Sequence, residues 1–238
     1  MTWTFTGAEF SVLMHSVGRE RLPYPLQYVA PEMMPADRDA MFARARQVVQ
    51  QTLCHDFEEA VACLVAPQLQ IQSVTFVSVG GRVRKLRALA ALRGSRAIVV
   101  VQQPGESEQS GGDITLRRIA HNDIPAQVAR TLPASEPGRT RGVVGTVAEA
   151  AALPQQRGAR AFFAKERCAT GEITATTGVD RGARALTTDR GFCWIDVVGD
   201  GRYLVRSELG KRRIEAFPAD SGRIEDEVRE LLRIGKTQ

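Results

Sequence analysis

The sequence is short of the residues that staple a fold, bind metals or cross membranes. Four cysteines stand in 238 residues, Cys54, Cys63, Cys168 and Cys193. They lie far apart in a chain long enough to bury a sizeable core without cross-links, so reduced thiols and no disulfide are expected. Three histidines, His15, His55 and His121, have no second histidine at metal-ligand spacing, and the cysteines form no close pair. No metal and no cofactor is expected. The longest apolar stretches, such as Ala97 to Val101, fall far short of the roughly 20 residues a membrane-spanning helix needs. The opening Met1-Thr2-Trp3-Thr4-Phe5-Thr6 carries no basic region followed by an apolar run, and Glu9 interrupts the place where one would sit. The sequence therefore predicts a cytoplasmic protein with no secretory signal and no membrane insertion.

Local catalytic patterns are missing as well. Gly235-Lys236-Thr237 resembles the end of a phosphate-binding loop, but Glu230 occupies the position of the earlier glycine, inside a predicted helix. Gly199-Asp200-Gly201 lacks the third glycine of a dinucleotide loop and leads into a strand, so it reads as a hairpin turn. Cys54-His55-Asp56 places a thiol beside a base, yet adjacent residues on a helix point in different directions. No catalytic residue is assigned, and the chain reads as a binding protein rather than an enzyme.

Charge is nearly balanced, 32 basic against 27 acidic residues for a net +5, which permits an anionic partner without requiring one. The most basic stretch is Arg82-Val83-Arg84-Lys85-Leu86-Arg87, with Arg93 and Arg96 beyond. It has no interleaved aromatics on which bases would stack, so a solvated sheet face is the preferred reading and nucleic acid is not the expected partner. A nucleic-acid-binding regulator using Arg82 to Arg96 is kept as the alternative.

What the sequence does contain is periodicity. Thr6 and Glu9 have capping-box spacing ahead of a helix with Phe10, Leu13, Met14 and Val17 on one face, which Gly18 can end. The segment Arg21-Leu22-Pro23-Tyr24-Pro25-Leu26 predicts an extended, rigid strap. Helical spacing follows from Asp37 to Leu53 and again through Phe57, Val61, Leu64 and Val65, with a break near His55-Asp56 and an end at Pro67. Gln70 to Val79 then reads as a strand, Gly80-Gly81 as a hairpin turn, Val83 to Leu92 as a strand by a narrow margin over a helix, and Arg96 to Val101 as a buried strand. After a loop from Pro104 to Gly112 come a strand at Ile114 to Ile119 and a helix with Ile124, Val128 and Leu132 inward, capped by Asn122.

Pro133 to Gly142 is the linker candidate. Beyond it, strands are expected at Ala159 to Lys165, Phe192 to Val198, Gly201 to Val205 and Arg213 to Phe217, then a helix with Ile224, Val228, Leu231 and Leu232 inward. A glycine turn, a buried strand, a basic strand, a polar cap and a helix run from Gly94 through Asn122, and the same order runs from Gly201 through Asp220. These observations predict an α+β, pseudo-two-fold architecture. It has a central, largely antiparallel sheet, with helices packed on one face and at the ends. Residues 1–238 would form a single domain of two pseudo-repeats, about 1–132 and 143–238.

Three stretches together resemble the EspG family of type VII secretion chaperones. They are Phe5-Thr6-Gly7-Ala8-Glu9-Phe10 with Leu22-Pro23-Tyr24-Pro25-Leu26, then Gly80-Gly81-Arg82-Val83-Arg84 through Ala88 to Gly94, and then Gly201-Arg202-Tyr203-Leu204-Val205 with Phe217-Pro218-Ala219-Asp220. The region from Val143 to Arg157 is shorter than the family's second helical subdomain. The resemblance implies a cytosolic chaperone whose partner is a PE–PPE-like helical heterodimer, bound at its apolar tip and kept soluble for secretion. A turn between two sheet strands beside basic residues can reach such a partner. The candidate partner-binding residues are therefore Val77, Val79, Gly80, Gly81, Arg82 and Arg84.

Overall fold

β-branched and alternating runs dominate the chain after residue 68, and they pair into one sheet. The structure, a computed structural model, describes residues 1–146, 148, 150, 158–177, 188–208 and 213–234. The strands are β1 (Thr2–Phe5), β2 (Leu69–Val79), β3 (Arg82–Arg93), β4 (Arg96–Pro104), β5 (Gly111–Ile119), β6 (Val143–Thr146), β7 (Arg167–Thr177), β8 (Thr188–Val197), β9 (Gly201–Glu208) and β10 (Arg213–Pro218). All ten join one sheet in the order β1-β5-β4-β3-β2-β7-β8-β9-β10-β6, with every neighbouring pair antiparallel. Outward from the central β2–β7 pair, each side is a meander of four consecutive strands closed by a short strand drawn from earlier in the chain. The fold is α+β.

Helix α1 (Gly7–Ser16) starts at the capping box: the Glu9 amide donates to Thr6 Oγ1 at 3.3 Å, and the Thr6 amide donates to Glu9 Oε2 at 2.7 Å. Gly18, at φ 75°, turns the chain out of it while the Arg19 amide donates to the Met14 carbonyl at 2.9 Å. Gly7 has a steric reason to be glycine, since a Cβ there would lie 2.4 Å from the Tyr28 ring. Helices α2 (Pro35–Thr52) and α3 (His55–Val65) meet at a break over Leu53 and Cys54. Helices α1 and α3 bury Phe10, Leu13, Phe57, Val61 and Leu64 against Leu89, Ala91, Ile98 and Val100 of β3 and β4.

On the opposite face, α4 (Ile124–Ala129) and α6 (Ser221–Ile234) pack on each other across the middle of the sheet. They bury Ile124, Val128, Ile224 and Val228 over Ile71, Ile173, Trp194 and Leu204. Helix α5 (Gly158–Phe163) returns to the α1 face at the far end, placing Phe162 on Tyr203 edge to face at 4.8 Å. Helices therefore cover one face centrally and the other face at its two ends. In the middle of that second face Gln70, Gln72, Val74 and Thr176 are buried, while Phe76 and Thr170 are half-buried and Glu172 is exposed.

Several expectations are corrected. Ala159 to Lys165 is not a strand: Ala159 and Phe162, three residues apart, form the buried face of α5, and the alanine-rich stretch favours helix. The strand of that region is β7, where Ala169, Gly171, Ile173 and Ala175 alternate inward as small or branched residues. The amino-terminal strand β1 has no counterpart among the expected strands. Asn122 does not cap α4; it sits within a 3-10 turn (His121–Asp123) that leads directly into the helix. The strap is folded by a turn at the cis Tyr24–Pro25 peptide, with the Leu26 amide donating to the Pro23 carbonyl at 2.9 Å.

The expected linker is bound along its length. The Arg202 amide donates to the Glu136 carbonyl at 2.8 Å, and the Gly138 amide to the Arg202 carbonyl at 2.9 Å, so the chain runs as a short parallel bridge beside β9. Of the span from Val143 to Arg157, β6 accounts for Val143 to Thr146, while 147, 149 and 151–157 lie outside the described residues, as does Gly235-Lys236-Thr237. The four cysteines are unpaired. Among the described residues no helix is long and apolar enough to cross a membrane.

Candidate functional site

Strands β2 and β3 pair over eleven residues, from Leu69 opposite Leu92 to Val79 opposite Arg82. Gly80 and Gly81 connect them at φ 57° and 75°, the left-handed conformation that a two-residue hairpin turn demands of both central residues. A Cβ built on either glycine meets nothing within 4 Å, so the turn stands clear of the rest of the protein. The register with β7 ends at Val77 opposite Ala169, and that with β4 begins at Arg87 opposite Gln102. Among the described residues, 78–86 therefore extend beyond their neighbours as a two-stranded ribbon, and residues 82–86 of β3 keep one backbone edge without a strand partner. Burial follows the same boundary: β2 is buried as far as Thr75, while Val79 is 55% exposed and Val83 45% exposed.

The pleat sorts the ribbon's side chains. Val77 and Val79 lie directly across from Arg84 and Arg82, so all four share the face of the sheet that carries α4 and α6, where Val77 packs on the rim of the core. The six candidate residues are thus brought together at one tip, four of them as a valine-arginine patch on one face. The opposite face carries Phe76, Val83 and Lys85, with the Lys85 ammonium 5.2 Å from the centre of the Phe76 ring. On the same face Glu172 of β7 is exposed and accepts a 3.5 Å hydrogen bond from Tyr24 of the strap. Burial and then Arg87 push the Lys85 ammonium below its usual range.

The sequence predicts one solvated face for the basic stretch, and the structure divides it. Arg82 and Arg84 are exposed at the tip. Arg87 is 1% exposed and bonds neutral groups: Gln27 Oε1 at 3.0 Å, the Glu108 carbonyl at 2.7 Å and the Lys85 carbonyl at 3.3 Å. It pins the strap and the β4–β5 loop to the sheet. Arg93 and Arg96 lie at the other end of β3, roughly 35 Å from the tip at the rise of an extended strand. There Arg93 donates to the Ala62 carbonyl and Arg96 pairs with Glu59, both on α3. No continuous cationic track runs from Arg82 to Arg96.

The residues weighed for chemistry are dispersed. His55 pairs with Glu59 at 3.3 Å, Asp56 pairs with Arg118, and Cys54 is an exposed residue ahead of α3. Loss of solvation and then the Glu172 carboxylate push the Cys193 thiol up, and burial raises Cys63, so neither is a thiolate at neutral pH. Among the described residues no group of histidine, cysteine and carboxylate side chains is arranged to hold a metal ion. Gly199 and Asp200 form the β8–β9 hairpin turn, where the Asp200 carboxylate binds the Arg139 amide, Thr140, Lys165 and the Tyr203 hydroxyl. Burial raises the affinity of that carboxyl for a proton, but the four hydrogen bonds outweigh it and hold Asp200 well below the usual carboxylate range.

A model of the EspG family matches residues 6–230. No curated protein matches the chain. Among solved structures the chain is similar to the Mycobacterium tuberculosis type VII secretion system chaperone EspG5, determined in complex with a PE25–PPE41 dimer. The two are 14% identical with a TM-score of 0.57, over 98% of this chain and 96% of that one. At that identity the likeness is one of fold.

Proposed function

Because the chain belongs to the EspG family, we propose that it is a cytoplasmic type VII secretion chaperone that binds the apolar tip of a PE–PPE-type helical heterodimer and catalyses no reaction. The observation that carries this reading is the family match over residues 6–230. The similar EspG5 chaperone, whose partner in its complex is a PE25–PPE41 dimer, supports it. We assign the contact to the β2–β3 tip, Val77, Val79, Gly80, Gly81, Arg82 and Arg84. An exposed apolar helical end of the partner would bury Val79, while Arg82 and Arg84 face its polar rim. The matched meanders on either side of the β2–β7 pair support one domain built from two pseudo-repeats, about 1–132 and 143–238.

Co-expression with the PE–PPE pairs of the same organism, followed by size-exclusion chromatography, tests the reading. A stoichiometric complex is expected with at least one pair, and folded protein that retains none of them overturns the assignment. The double variant Val79→Glu/Arg82→Glu places two carboxylates on the tip and is expected to weaken that complex at least tenfold. Such a loss corresponds to about 1.4 kcal/mol, within reach of one desolvated valine and one reversed charge. An unweakened complex would move the contact away from the hairpin while leaving the function standing.

A further inference from the structure

Away from the hairpin, on the far side of α1, a cleft of about 560 Å³ opens between α1 and α2. That is within the range of small-molecule sites. Its makeup is one-sided in charge. Val12, Phe42 and Val49 form an apolar floor, His15 and Arg46 stand at its walls, and no acidic residue lines it. Arg46 is exposed and, among the described residues, makes no hydrogen bond and no ion pair, unlike Arg96 and Arg118 of the sheet, which are both paired with carboxylates of α3. His15 is tied on one side: its Nδ1 lies 3.1 Å from the Ser11 carbonyl of its own helix, so that nitrogen donates, and among the described residues Nε2 has no protein partner.

Helix α2 itself is held loosely. Of its 18 residues only Ala45 and Val49 are buried, and it packs chiefly on α1. The half-buried Phe42 ring faces the cleft rather than filling the core. An unpaired guanidinium above an aromatic and aliphatic floor matches a ligand with one anionic group and an apolar body. The anion would take Arg46 as a charge-assisted partner, and the body would cover Phe42 and Val12.

We propose that the α1–α2 cleft binds a small amphipathic anion, a carboxylate- or sulfonate-bearing molecule with an apolar ring or chain. Its anionic group pairs with Arg46 and its body lies on Val12 and Phe42. This site is separate from the β2–β3 tip and does not depend on the partner assigned there.

The probes are 8-anilinonaphthalene-1-sulfonate, which has both features, and N-phenyl-1-naphthylamine, which keeps the rings and lacks the charge. Fluorescence titration of the full chain is expected to give one saturable site for the sulfonate and weaker binding of the neutral amine. Arg46→Glu is expected to lower sulfonate affinity about tenfold and to leave the amine unchanged. Phe42→Ala should weaken both probes. Arg46 has no partner to lose, so Arg46→Glu should unfold at the wild-type temperature, which separates loss of the site from loss of the fold. Absence of saturable sulfonate binding up to millimolar concentration overturns the proposal. So does equal binding of the two probes with no effect of Arg46→Glu, which would place them in the apolar groove between α1 and α3 lined by Leu53, Phe57, Val61 and Val65.

Discussion

Removing the Asp196 carboxylate is expected to destabilise the protein more than most single substitutions elsewhere in the sheet. Arg202 and Asp196 form a two-point pair, Nε to Oδ1 and Nη2 to Oδ2, both at 2.8 Å, with side chains 2% and 3% exposed. The guanidinium also lies 4.6 Å from the Trp194 ring and donates to the Pro133 carbonyl at 2.7 Å. In Asp196→Ala the arginine keeps only those two contacts and remains charged in a site closed to water. Leaving one charge of a buried pair uncompensated costs about 3–5 kcal/mol. For a domain of this length each kcal/mol shifts the midpoint by about 2–4 °C, so a fall of roughly 6–20 °C is expected. Urea unfolding followed by the fluorescence of Trp3 and Trp194 gives the free energy, with an unchanged slope confirming that the folded and unfolded states are the same. The double variant Arg202→Met/Asp196→Leu removes both charges and is expected to recover most of the loss, because the pair itself adds little over apolar packing. A cost below about 1 kcal/mol for Asp196→Ala would show that water reaches the pair and would refute the reasoning.

The Asp200 carboxyl titrates lower in the folded chain than in the unfolded one, so its contribution is complete above the unfolded value near 4 and is lost as the pH falls below it. Urea midpoints measured from pH 6 to pH 2.5 should therefore fall more steeply for wild type than for Asp200→Asn, and parallel curves would dismiss the network as a source of acid sensitivity. At the hairpin, Gly81→Val forces a branched side chain to φ 75° with nothing for it to contact. It is expected to cost about 1–2 kcal/mol in urea unfolding, and an unchanged midpoint would mean that the turn relaxes to another type.

Elements whose signals are local are legible in the sequence. The α1 start is written in Thr6 and Glu9, the β2–β3 turn in Gly80-Gly81, and the Asp220 cap, whose carboxylate accepts from the Arg223 amide at 2.7 Å, in its place before α6. The comparison of Gly94 onward with Gly201 onward pairs β4 with β9 and β5 with β10, and these stand at equal distances from the sheet centre. The elements that escape sequence reasoning depend on tertiary partners. β1 is four residues long and is a strand because β5 offers its edge. β7 is rich in threonine and small residues, whose inward positions make sense only beneath α4 and α6. The basic run looks uniformly solvated in sequence because neither the strap and loop that bury Arg87 nor the α3 carboxylate that claims Arg96 is adjacent to it along the chain.

The antiparallel β2–β7 pair has a consequence for where a partner can bind. It points the β2–β3 turn toward the end of the sheet where β7 begins and β8 finishes, since Val77 lies opposite Ala169 and Arg167 opposite Val197. The β8–β9 turn lies at the same end as the β2–β3 turn, and there Val198 is 50% exposed beside the Asp200 network that fastens residues 139 and 140. Val79, Val83 and Val198 therefore lie exposed at one end of the sheet, Val79 and Val83 on opposite faces of the ribbon. The first two ride on a ribbon with a free backbone edge, and the third on a turn held by Lys165 and Tyr203. For the partner proposed above, this end offers one projecting element and one element held in place by the hydrogen bonds of Asp200.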